Sequence, residues 1–356
     1  MKMRPQYIGR RLLGYPISVG IKPGKNERYF PNFLFLSNGI ATTYPLIYTR
    51  SDAYYGGVLA LNGDIHFVPI YATVGQKISS CGVVSTYSLV YTAGNKHVGG
   101  VLASNGDIHF VPYSATVGQK ISSSGVVSTY SLVYTTSSAY CGGVLTPNGD
   151  VHFIPHSATV GQKISSSGVV STYSLAYTAI SAYIGGVFTP NGDIHFVPFI
   201  ATVGQKISSS GVVSTYSLVY TTSGGYIGGV LASNGDIHFV PFGATVGQKI
   251  SSSGVVSTYS LAYTTSGAYV GGVIGPNGDI HFVPVAATAG QKISSSGVVS
   301  TYSLAYTAGG KHGGGVLASN GDIHFVPYSA TVGQKLVTVV ATTDQNMAQS
   351  PYTNKL

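Results

Sequence analysis

Asn62-Gly63-Asp64-Ile65-His66-Phe67-Val68-Pro69 returns at Asn105, Asn148, Asn191, Asn234, Asn277 and Asn320, always 43 residues on, with Val151 and Ile154 as the only substitutions inside it. A fixed period of about 40–50 residues rich in strand formers points to propeller blades of four strands each. Working outward, residues 56–61 read as strand a, Asn62-Gly63 as a two-residue type I′ hairpin turn, and residues 64–70 as strand b. Strand c is expected over 76–80. After a break at Gly82, strand d is expected over 84–92, where Tyr87, Leu89 and Tyr91 alternate with Ser88 and Val90.

The ends of the array carry topological information. A divergent d-like stretch, 39–49, precedes the first a-b-c set, and the last set stops near Leu336 without a d strand of its own. The economical arrangement pairs the early strand beside the final strand c and closes the ring, which leaves no open end blade. The expected fold is therefore all-β, a seven-bladed β-propeller at 39–341, with a basic N-terminal arm at 1–38 and a tail at 342–356. A β-helix is the alternative architecture, disfavoured because its coils are usually shorter and need caps.

Only 8% of the residues are charged, and Gly, Ser, Thr, Tyr and Val abound, a composition for short strands and tight turns. Each repeat holds one Asp and one Lys, such as Asp64 and Lys77, which cancel. The net charge of +8 comes from outside the repeat, and much of it from Lys2, Arg4, Arg10, Arg11, Lys22, Lys25 and Arg28. Within that arm Arg4, Arg10, Arg11, Lys22, Lys25 and Arg28 are candidates for docking an acidic partner. Arg10-Arg11 is not followed by the long apolar run and small-x-small site of an export signal. No apolar run reaches the ~18 residues of a membrane span. Cys81 and Cys141 fall at unrelated repeat positions and predict no disulfide.

The stretch 57–69, followed by Gly75-Gln76-Lys77-Ile78, resembles the NHL-type propeller repeat in length, in the Gly before strand a, in the turn Gly and in the character of strand b. The resemblance spans about 300 residues. His66 stands where that family usually has Tyr, Pro69 where it has Asp, and Gly75-Gln76 where it has Asn-His. The copy identity and low charge also look like repeat proteins encoded by bacteriophages, in tails and fibres.

Catalysis on a propeller needs an asymmetric set of acids, bases or metal ligands, whereas seven of the ten acidic residues are the same repeat Asp. Asp64 and His66 share one face of strand b, a pair too small for a metal site. The sequence thus predicts no catalytic residue, no metal and no cofactor. The copies differ instead in the d-to-a loops and at the b-to-c position, which share one face of the disc. Tyr54, His97, Tyr140, Tyr183, Tyr226, Tyr269 and His312 immediately precede strand a and are expected to ring the channel mouth. Tyr113, His156, Phe199, Phe242 and Tyr328 stand at the b-to-c position, with Ile70 and Val285. Rings with an apolar face and a polar edge suit sugar or protein contacts.

These features together lead to the expectation of a non-enzymatic virion component of phage tail or fibre type, presenting repeated weak sites to a surface ligand such as a glycan. Its partners would be other virion proteins, through the arm, and a cell-surface glycan or protein, with no membrane insertion and no nucleic acid. Two alternatives stand beside it: a purely structural decoration or adaptor protein, and an NHL-like hydrolase or lyase.

Overall fold

The computed structural model describes residues 33–341, so the arm residues Arg4, Arg10, Arg11, Lys22, Lys25 and Arg28 and the tail 342–356 lie outside the described residues. Blade 1 consists of β2 (Tyr54–Leu59), β3 (Ile65–Pro69), β4 (Val74–Ile78) and β5 (Val84–Ser88), hydrogen-bonded in that order as an antiparallel sheet. The order repeats five times from β6 (His97–Leu102) to β25 (Val299–Ser303). The last blade is β26 (His312–Leu317), β27 (Ile323–Pro327), β28 (Val332–Ala341) and then β1 (Phe33–Pro45), so the N-terminal strand completes the C-terminal sheet as expected. It begins six residues before Gly39, where the sequence places its start. Among the described residues no helix is long and apolar enough to cross a membrane.

Strand b explains the packing. In a disc of stacked sheets both faces of an inner strand meet a neighbour, and all five residues of β3 are buried. Phe67 and Ile65 join Tyr54 and Ile78 in a cluster with Val316 and Val326 of blade 7. The joint between blades is closed by a polar clasp as well. Gln76 on strand c is fully buried, and its side-chain oxygen accepts the Ile47 and Tyr48 amides at 3.1 and 2.8 Å, from the chain leaving the d strand of blade 7. The same clasp joins Gln119 to Val90 and Tyr91, and Gln334 to Tyr306. It satisfies amides that would otherwise lie unpaired at a blade joint.

The a-to-b turn differs from the expected type I′ hairpin. The Gly63 amide donates to the Ala60 carbonyl at 3.0 Å, the Ala60 amide donates to the Asp64 carbonyl at 2.8 Å, and only Gly63 has positive φ. This is a three-residue loop, a type I turn followed by a left-handed glycine. The Asn62 side chain accepts the Asp64 amide at 3.0 Å, which lets Asn stay at negative φ. Asp64 in turn holds the Lys77 ammonium at 2.7 Å and the Ser80 amide at 3.1 Å, tying the a-to-b turn to the c-to-d turn.

The axis is built from glycine pairs. Register shifts between Tyr54 and Gly57 show one extra residue in strand a opposite strand b, a β-bulge. Gly56 sits at the bulge with φ +85°, and a Cβ there would lie 2.9 Å from the Gly99 Cα of the next blade. The contact passes on from Gly99 to Gly142 at 2.9 Å and from Gly142 to Gly185 at 3.0 Å, and returns from Gly314 to Gly56 at 3.1 Å. Gly99→Ala should therefore lose about 3 kcal/mol or more in urea unfolding, from left-handed strain plus a backbone clash. Gly125→Ala has a similar φ of +86° but no atom within 4 Å, and should lose only about 1 kcal/mol.

Candidate functional site

The two aromatic sets expected on the variable face occupy different environments. Tyr54, His97, Tyr140, Tyr183, Tyr226, Tyr269 and His312 are all 0–1% exposed. They lie in the core between blades instead of ringing the channel mouth, which corrects the expectation. The tyrosine hydroxyls donate to strand-c carbonyls, for instance Tyr54 to Val74 at 3.1 Å and Tyr140 to Val160 at 3.0 Å. The bulge is the physical reason. Tyr54 still pairs across the ladder with Pro69 and points between blades, whereas the extra residue after it turns to the axis. The inserted positions Tyr55, Val98, Cys141, Ile184, Ile227 and Val270, with the glycine pairs, line a central cavity of about 210 Å³. Their variability from copy to copy was the available signal.

The b-to-c residues do come together. Around one arc, ring centroids lie 5.5 Å apart for Tyr113 and His156, 6.4 Å for His156 and Phe199, and 6.2 Å for Phe199 and Phe242. Tyr328 meets Tyr55 edge-on at 5.8 Å. These side chains pack onto the axial ring: Ile70, Val98 and Cys141 cluster with Tyr55, Tyr113 and Tyr328, and Phe199, Phe242 and Val285 lie against Ile227 and Val270. Tyr55 leans into space left by Gly313, where a Cβ would lie 3.2 Å from its ring. The result is an aromatic rim above the central cavity.

That rim is asymmetric, and the asymmetry was missed in the sequence. The residues that differ between copies place polar groups on one flank, Tyr71, Tyr113, His156 and Tyr328, and Phe199, Phe242 and Val285 on the other. Two charges outside the repeat join the polar flank. Arg50 lies with its guanidinium carbon 5.7 Å from the Tyr71 ring centroid and donates to the Tyr71 carbonyl at 3.0 Å. Asp52 accepts the Ser329 hydroxyl at 3.1 Å. Burial, followed by the nearby Asp52 charge, pushes the Tyr328 phenol up to about 12, so it stays protonated.

His156 is the titratable ring of the rim. Its Nδ1 lies 3.2 Å from the Ser138 carbonyl, which can only accept, so Nδ1 carries the proton and Nε2 keeps a lone pair. Nε2 has no protein partner among the described residues. Burial lowers its pKa from the ordinary imidazole value, against the opposing Ser138 bond, so the neutral base prevails at neutral pH. Six of the seven repeat histidines on strand b lie within hydrogen-bond distance of a strand-d tyrosine hydroxyl, and His281 is buried without a partner among the described residues. His66 meets the Tyr87 hydroxyl at 3.3 Å beside the Asp64–Lys77 pair.

Two lysines lie beneath the same face. Lys96 and Lys311 are fully buried, and their ammonium groups reach back to carbonyls of the preceding blade. Lys96 donates to Ala72 at 2.6 Å and Ile70 at 3.3 Å, and Lys311 to Ala287 at 2.7 Å and Val285 at 3.1 Å. Burial lowers both to about 8.

No family model and no curated protein matches this sequence. Solved structures share the fold. A streptogramin B lyase superposes with a TM-score of 0.74 at 19% identity, over 84% of this chain and 97% of that one. Virginiamycin B lyase from Staphylococcus aureus, in a catalytically inactive histidine-to-alanine form with Quinupristin, gives 0.73 at 17% identity, over 86% and 99%. A putative gluconolactonase gives 0.51 at 11% identity, over 87% and 96%. At these identities the likeness shows the seven-bladed fold alone. Against the expectation of a non-enzymatic virion component stands the finding that these three structures carry the names of enzymes and none is a part of a virus particle.

The buried lysines make a pH prediction. Their folded pKa of about 8 is below the unfolded value of ~10.4, so the unfolded chain binds more protons in between. The stability they contribute is present above the unfolded pKa and is lost as pH falls through the folded one. Raising the pH from 8 to 9.5 should therefore stabilise the native chain relative to a Lys96→Met/Lys311→Met variant by about 1–3 kcal/mol, read from urea midpoints.

Proposed function

We propose that this chain is a propeller enzyme of the lyase type, acting on a small organic molecule held against the aromatic rim, with His156 as its general base. The observation that carries this reading is the contact between His156 Nδ1 and the Ser138 carbonyl at 3.2 Å. The Ser138 carbonyl holds Nδ1–H and leaves the Nε2 lone pair free, in a ring that lies between the Tyr113 and Phe199 rings. A positioned neutral imidazole is the commonest device for taking a proton near neutral pH. The Ser157 hydroxyl, 3.1 Å from Nδ1, helps fix the ring's orientation.

In a lyase step Nε2 would remove a proton from carbon, and the electron pair left behind would form a double bond as the neighbouring bond breaks. The Tyr113 ring, its centroid 5.5 Å from that of His156, carries a hydroxyl that would hydrogen-bond the departing atom. Phe199, Phe242 and Val285 provide the apolar surface that holds the substrate body and limits water. The fold-level likeness to streptogramin B lyases, one of them inactive as a histidine variant, supports this reading by analogy.

The test is turnover of quinupristin, and of a gluconolactone for comparison, followed by mass spectrometry. Ring opening by elimination leaves the mass unchanged, whereas hydrolysis adds one water. His156→Gln should lower the rate at least about 100-fold, and the native rate should fall as the pH drops below the ordinary imidazole range. Full activity in His156→Gln, or no turnover of either compound by the native chain, would count against the proposal.

A further inference from the structure

We propose that the polar flank of the rim, where blades 7 and 1 meet, binds an anionic group of the substrate through Arg50. This rests on the rim being the substrate site. The substrate class is then an amphiphilic organic anion, with an apolar body over Phe199, Phe242 and Val285 and a carboxylate, sulfonate or phosphate at Arg50.

Charge distribution is the first argument. Among the described residues, every Asp except Asp52 is paired with its repeat Lys at 2.6–2.8 Å. The charges left over are Arg50, Lys96, Lys311 and Asp52, all on the d-to-a loops of the rim face. That face is therefore net positive, and an anion approaching the disc is drawn to it.

Geometry locates the group that receives the anion. Lys96 and Lys311 are buried and already bound to backbone carbonyls, so neither reaches a ligand. Arg50 is exposed and is held by Tyr71 through one Nη1 hydrogen bond and the ring face, and it also lies beside the Tyr48 hydroxyl, whose pKa it helps to lower. Most of the guanidinium's ~five N–H donors therefore remain for a ligand. No carboxylate lies within ion-pairing distance of Arg50 among the described residues. Asp52, two residues away, is turned to Ser329 and Tyr328. Arg50 instead has the Lys96 ammonium for a neighbour, and its charge adds to burial in depressing that lysine. Two cations with no acid between them gain from a bound anion, and a planar guanidinium suits a bidentate one.

Two probes with nearly the same aromatic body separate the possibilities: anilinonaphthalene sulfonate, an anion, and N-phenylnaphthylamine, which is neutral. Fluorescence titration of the full chain gives both dissociation constants. We expect the sulfonate to bind more tightly, and the ratio of the two affinities to fall at least tenfold in Arg50→Gln and to shrink with added salt. If both probes bind but the ratio does not change in Arg50→Gln, the anion site is refuted and the rim survives. If neither probe binds, the rim itself is not a binding site, and the inference fails together with the reading beneath it.

Discussion

Seven sheets meet around this axis only because the inner strands approach to glycine distance. At Gly56, Gly99 and Gly142 any side chain would run into the backbone of the neighbouring blade, and the left-handed φ at each position opens the bulge that shapes strand a. The second glycine of each pair faces the preceding blade. A Cβ at Gly57 would lie 2.7 Å from Val316 and 2.9 Å from Val326. Blade spacing at the centre is thus set by backbone contact, and the larger side chains, Phe67 and Tyr54 among them, fill the widening wedge further out.

The bulge does two jobs with one residue. It sends Tyr54 and its equivalents into the wedge, where their hydroxyls find strand-c carbonyls, and it presents the following residue to the axis. Because that following residue is free of ladder pairing and of the interblade core, it can be Tyr55 in one blade and Gly313 in another without disturbing either sheet. The b-to-c position above it has the same freedom. Variation between otherwise near-identical copies has therefore accumulated where it reshapes the central cavity and its rim, and where loops rather than strands position the side chains.

A ring of equal blades cannot by itself make an asymmetric site. Here the asymmetry comes from single substitutions at equivalent points: His156 where other blades carry Phe, Tyr or an aliphatic residue, Arg50 and Asp52 in one loop, and Tyr55 opposite Gly313. The opposite face shows the contrast. Its Asp–Lys pairs recur in all seven blades, and the strand-b histidine meets a strand-d tyrosine in six of them, His66 with Tyr87 and His324 with Tyr44 among these. Those groups satisfy one another within their own sheets and leave little for a ligand.

Period, blade count, strand order and ring closure were all legible in the chain, because a 43-residue repeat with alternating strand formers has few ways to bury its apolar faces. The b-to-c ring was legible too, since it follows from which loops share a face. Tertiary structure alone decided three things. It showed which of two adjacent residues, Tyr54 or Tyr55, reaches the axis, because a one-residue bulge flips that assignment and leaves no mark in a period-2 pattern. It showed that Gln76 clasps the previous blade, a contact spanning 28 residues. It also brought Arg50, Asp52, Tyr328 and His156 to one face, since residues 278 apart in the chain, such as Ser51 and Ser329, become neighbours only when the ring closes.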